Sequence, residues 1–252
     1  MSWIACNPLC LCLALAVACG GSEKNTTEEP GESRVQSSRM SSTDDGEENT
    51  DDIQVEGLKG HLDPGQIEKG VAPHQTALAR CYKSQARKSK YLAGKLVLKF
   101  VVGSDGKVVQ AILDESDLGA WGVEHCLLEI ARAMAFAEPK GGDREAEFTV
   151  PLEFAGTRRI EWWPEERVET VVSKKIAELE ECKEQNGVVV PSNVFVTFYI
   201  GNRGAVLSVG FVSPGSPIDD AWGECAAGIV AGWTMPDPMG KIAKTGFRYR
   251  PE

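Results

Sequence analysis

Phe100-Val-Val-Gly103-Ser-Asp-Gly106-Lys-Val108 returns 98 residues later as Phe198-Tyr-Ile-Gly201-Asn-Arg-Gly204-Ala-Val206. Each copy runs an alternating apolar stretch into two glycines three residues apart and then back out. That is the pattern of a strand, a tight turn and a returning strand. The match extends outward. Cys126 lies 13 residues before Pro139, and Cys225 lies 13 before Pro238; Gly141 matches Gly240 and Phe148 matches Phe247, both at an offset of 99. A period near 100 residues is too long for a solenoid unit and marks a duplicated domain.

Both copies follow an α-β-β-α-β plan, which makes the fold class α+β. In copy one, Asp63-Pro64 reads as an N-cap and first helical residue, and Ile67, Val71, His74, Leu78 and Cys81 then line one helical face. Leu96, Leu98, Phe100 and Val102 alternate toward a core, and the chain returns over 107–113. Val123, Leu127, Ile130 and Met134 mark a second helix. Phe148, Val150, Leu152 and Phe154 mark a terminal strand. Copy two repeats the plan with Val168, Val172, Ile176, Leu179 and Cys182, then Val194, Val196, Phe198 and Ile200, then Ala226, Ile229, Val230 and Trp233. Its last strand reads as shorter, with no counterpart to Leu152-Glu-Phe154.

Cys81-Tyr82, Gly94-Lys95, Gly103-Ser-Asp-Gly106, Cys126, Pro139-Lys-Gly141-Gly142 and Val150-Pro151-Leu-Glu-Phe154 form a set. It resembles the TonB C-terminal-like domains of the AgmX/PglI C-terminal family, found in gliding-motility and envelope proteins. The resemblance covers 57–156 well and 165–252 less well, since Tyr82 has become Lys183 and Gly142 has become Lys241. It implies disulfides Cys81–Cys126 and Cys182–Cys225, each contributing about 3–4 kcal/mol by limiting the unfolded chain. It also implies that a partner segment is accepted along an open sheet edge.

Upstream of the repeat lie an address and a tether. Residues 9–18 are an uninterrupted apolar run, the length of a signal-peptide core rather than of a membrane span. The run ends at Ala16-Val17-Ala18-Cys19-Gly20-Gly21, which resembles a bacterial lipobox with Cys19 as the lipidated mature N-terminus, sorted to the outer membrane. Ala16-x-Ala18 would also serve ordinary signal peptidase, which leaves Cys19 unmodified. Residues 20–60 hold eleven acidic and four basic groups and ten Ser or Thr. So polar a stretch cannot bury enough surface to order itself and reads as a disordered tether. Forty such residues span roughly 35 Å as a coil. The organisation expected is a signal peptide over 1–18, tether 19–56, domain 57–156, linker 157–164 and a divergent domain 165–252.

The composition narrows function mainly by exclusion. A net charge of −10 argues against nucleic acid as partner, and no phosphate-binding Gly-rich loop implies a nucleotide cofactor. Of three histidines only His125 neighbours a cysteine, Cys126, and copy two has Glu224 there, so no metal and no cofactor is expected. No acid–base or nucleophile constellation is shared by both copies, which argues for a non-enzyme. Trp162-Trp163 between the copies reads as packing them together, with peptide or glycan recognition as the alternative. The expected partner is a periplasmic or envelope protein added as a strand, with peptidoglycan as the alternative and Trp162, Trp163 or Trp121 as stacking surfaces. Pro151 among outward residues places the terminal strand at a sheet edge. The more open edge is expected in copy two, from Gly246 through Phe247, Arg248 and Tyr249 to Arg250.

Overall fold

A computed structural model of the chain describes residues 59–141 and 145–251. The leader, Cys19, the whole 19–56 tether and Gly142 lie outside the described residues. In copy one, Asp63 caps α1 (Pro64–Val71), a 3-10 turn covers Ala72–His74, and α2 is Gln75–Ala86. The single helix expected here is interrupted because Pro73 has no N–H to donate and crowds the preceding turn. Strands β1 (Gly94–Val102) and β2 (Val108–Ser116) form the hairpin, α3 (Trp121–Arg132) crosses over, and β3 (Ala146–Phe154) pairs antiparallel with the other side of β1. The sheet order is therefore β2-β1-β3.

In copy two, residues 161–162 form β4 (Glu161–Trp162). They are followed by α4 (Glu166–Lys175), α5 (Glu178–Asn186), β5 (Val194–Ile200), β6 (Val206–Val212), α6 (Asp220–Ala231) and β7 (Ala243–Tyr249). Here the sheet order is β4-β7-β5-β6. The central strands carry the cores: Leu96, Leu98, Phe100 and Val102, and likewise Val194, Val196, Phe198 and Ile200, are all at most 1% exposed. Disulfides Cys81–Cys126 and Cys182–Cys225 tie α2 to α3 and α5 to α6.

The repeated turn glycine has the same structural cause in both copies. Gly106 (φ 77°) and Gly204 (φ 76°) sit in left-handed backbone, and their carbonyls accept from Phe136 N–H and Met235 N–H, both at 2.8 Å. A Cβ would lie 2.3 Å from the Phe136 carbonyl oxygen and 1.7 Å from that of Met235. Only glycine lets the hairpin tip touch the chain leaving the second helix.

Three expectations are corrected. First, the matching of Phe148 with Phe247 is out of register. Phe100 pairs with Phe148, whereas Phe198 pairs with Thr245; Phe247 stands opposite Val196, as Val150 stands opposite Leu98. The loop from Gly240 to Ala243 is two residues shorter than that from Gly141 to Ala146. A shift of two preserves which face each side chain takes, so alternation alone could not reveal it. Tyr249 is thereby the counterpart of Leu152, and Arg248 that of Pro151. Second, the 157–164 segment is more than a linker, because Glu161 and Trp162 pair parallel with Ala243 and Lys244. Gly60 makes the matching parallel bridge to Ala146 in copy one. Third, Trp162 and Trp163 do not join the copies: Trp163 lies in the core of copy two and Trp162 is 60% exposed.

What joins the copies is an exchange of side chains. Trp121 of α3 packs into the core of copy two, while Tyr199, Val212 and Ile242 pack into that of copy one. The Tyr199 hydroxyl donates to Ala93 O (2.7 Å) and accepts from Ala93 N–H (3.1 Å). Lys244, fully buried, donates to the same carbonyl at 2.8 Å. Arg132 holds Asp220 with two bonds, of 2.5 and 3.0 Å. Glu124 lies 1% exposed in the seam, accepting from Ser116 Oγ (2.7 Å) and from Phe211 N–H on β6 (3.2 Å). A Cβ at Gly210 would meet its carboxylate at 2.2 Å, so glycine is what admits Glu124.

A paired Cys182→Ser/Cys225→Ser change leaves open a loop spanning 43 residues in the unfolded chain and should cost about 4 kcal/mol in urea unfolding. The buried carboxyl gives a second expectation. Burial pushes Glu124 up to about 7. The folded state then binds the extra proton between roughly pH 4.5 and 7, so this group's contribution is present below that window and is lost as pH rises through it. Glu124→Gln should flatten that part of the stability–pH curve and equal or exceed the native chain at pH 8. Stability–pH curves of identical shape in the native and Glu124→Gln proteins would remove this carboxyl as the source of the pH dependence.

Candidate partner-binding edge

Strand edges are the exposed backbone of a sheet, and this chain closes most of its own. Edges β2 and β6 adjoin each other across the seam, where Glu124 occupies the outward Phe211 N–H and Asp114 accepts from Gly215 N–H at 2.8 Å. Edge β3 begins under the Gly60 bridge, and Gly60 N–H donates to Glu145 O at 3.0 Å. Continuing that alternation, Glu147, Thr149, Pro151 and Glu153 turn their backbone groups outward. Pro151 has no N–H to offer a further strand, and Glu147 and Glu153 add charge beside Lys99 and Lys95.

Edge β7 is different. Glu161 N–H donates to Ile242 O at 2.8 Å and Trp163 N–H to Lys244 O at 2.9 Å, so the even-numbered residues face outward. β4 then ends, and Gly246 and Arg248 continue the outward row with no strand beside them among the described residues. Arg248 stands where copy one has Pro151, and unlike proline it keeps its donor. Its side chain is exposed and its guanidinium lies 4.6 Å from the Phe195 ring.

The six residues singled out from the sequence separate here. Phe247 and Tyr249 are 4% and 2% exposed, so their side chains serve the core and only their backbone lies at the edge. Arg248 and Arg250 are exposed. Trp163 is buried, with Arg167 stacked at 4.7 Å. Trp162 presents one face outward and rests the other on the Lys244 ammonium, 4.5 Å from the ring centroid. Burial lowers the readiness of that ammonium to hold its proton, while Asp117, 3.7 Å away, works in the opposite sense. Trp121 is buried at the seam, so of the three tryptophans proposed as stacking surfaces only Trp162 offers one. His125 stacks on Trp121 and meets Asp220 at 3.4 Å, and Cys126 is committed to its disulfide. Reasoning from sequence missed Tyr199, Lys244 and Glu124; a charged residue inside each apolar pattern was the available signal for the last two.

Amide exchange reads this edge directly. Gly246 and Arg248 amides should exchange much faster than those of Thr245 and Phe247, which face β5. Equal protection of all four would mean that the edge is already covered.

Comparison with protein-family models, curated proteins and solved structures finds no match to this chain.

Proposed function

We propose that this chain is a non-enzymatic, lipid-anchored protein of the bacterial envelope that captures an extended segment of a periplasmic partner along β7. The observation that carries the reading is the contrast between the two copies of one edge. Copy one has Pro151 at the position where copy two has Arg248, next to Gly246 and past the end of β4. Main-chain hydrogen bonds at Gly246 and Arg248 would supply affinity, and the exposed Arg248 and Arg250 side chains would select the segment. The same mode is what the resemblance to TonB C-terminal-like domains implies, and it suits a motility or envelope-spanning transport machine. In this reading Cys19 carries the lipid, the tether gives reach, and the outer membrane is the anchoring surface. More than one acyl chain is needed for a lasting hold.

The glycan reading is less well supported, since two of its three rings are buried.

Deleting residues 247–252 is not a clean test, because it removes Phe247 and Tyr249 from the core. Arg248→Pro is cleaner: it copies the Pro151 solution and removes only an outward donor. A photo-crosslinker at Arg250 in living cells should join the chain to one defined partner, and Arg248→Pro should lose that product while unfolding at an unchanged temperature. Retention of the product in a folded Arg248→Pro protein refutes strand addition here. Separately, Cys19→Ala should release the chain from the membrane fraction.

A further inference from the structure

Duplication sets two equivalent helical faces side by side for comparison, and their charges are opposite. Aligned through Cys81 and Cys182, Arg80 corresponds to Glu181 and Lys83 to Glu184. From Lys69 to Ser104 the chain has eight Lys or Arg and no Asp or Glu, although its net charge is −10. Arg80, Lys83, Arg87, Lys90 and Thr157 all line one shallow groove. The groove is held in shape: Thr157 N–H and Arg158 N–H both donate to Lys90 O at 2.9 Å, and the Tyr82 hydroxyl lies 2.8 Å from Leu92 O and 2.9 Å from Ala155 O. These four cations, with Arg158 and Arg159, are exposed and make no ion pair among the described residues. On α5, the counterpart of α2, Glu181 and Glu184 are exposed and likewise make none among the described residues.

A lone charged face calls only for counter-ions. Two faces of opposite sign, at equivalent places on two halves of one chain, complement each other between molecules. We propose that the basic α2 face of one molecule docks on the acidic α5 face, Glu181 and Glu184, of a second copy, head to tail. Each molecule offers both faces, so the contact closes into a pair or ring or runs on as a row. Exposed ion pairs are individually weak and screened by salt, so association depends on several acting together and on low ionic strength. The β7 edge takes no part in it, and it stands apart from the strand-addition reading.

Sedimentation velocity on the full chain tests it, at about 0.01 M salt, where the screening length is ~30 Å, and at about 1 M, where it is ~3 Å. Species larger than the monomer should be present at low salt and lost at high salt. Arg80→Glu/Lys83→Glu should abolish them, and so should Glu181→Arg/Glu184→Arg. Combining all four changes in one chain should restore them, because the faces then complement each other with signs exchanged. Unchanged thermal unfolding shows that each variant is folded. A native chain that stays monomeric at low salt overturns the proposal. So do assemblies that survive either reversal, a fourfold variant that stays monomeric, or a monomer whose basic face instead binds vesicles of anionic phospholipid.

Discussion

Burying Glu124 obliges the protein to supply the hydrogen bonds that water would have given it, and the donors come from both copies. Ser116 reaches it from the end of β2 and Phe211 N–H from β6, with Gly210 clearing the space. An acceptor placed this way satisfies an edge donor that a foreign strand could otherwise use. The same carboxyl therefore helps dock the copies and blunt an edge. Around it, Trp121 and Tyr199 each cross into the other copy's core, so the two repeats share their packing instead of hanging as separate beads.

That shared packing shapes what is left to bind with. With β2 and β6 turned inward and the outward donors of β3 interrupted at Pro151, the uncovered outward backbone with an unbroken row of donors, among the described residues, is the stretch of β7 beyond β4. Natural sheets manage their edges with proline, charge or a covering segment, and all three devices occur in this chain. Gly246 and Arg248 have neither a proline nor a covering segment among the described residues, and their outward backbone keeps its donors and acceptors. The exposed cation on Arg248 fits a site that has to discriminate as well as hold.

Much of this architecture could be read from the residues. Alternation in Leu96–Val102 and Val194–Ile200 revealed both central strands, and the paired glycines revealed both hairpins, because these patterns are local. The last-strand register was hidden, since a two-residue loop difference leaves every side chain on its own face. The break at Pro73 was legible and overlooked beneath a strong helical stripe. The seam was out of reach: nothing near Glu124 or Lys244 in sequence announces that Phe211 or Ala93, many residues away, will supply a partner. Trp162-Trp163 misled for a related reason. Successive residues of extended backbone point to opposite sides, so Trp162 at the end of β4 went to solvent and Trp163 just past it to the core.

Strand addition makes a partner segment the continuation of the sheet at β7. Backbone-amide NMR of the isotope-labelled chain, titrated with the partner once the crosslink has identified it, tests this most directly. The Gly246 and Arg248 amides should move downfield and become protected from exchange, with cross-strand contacts to the partner backbone. A saturated complex in which those two amides are unmoved, and the shifts gather on β3 or around Trp162, would contradict it.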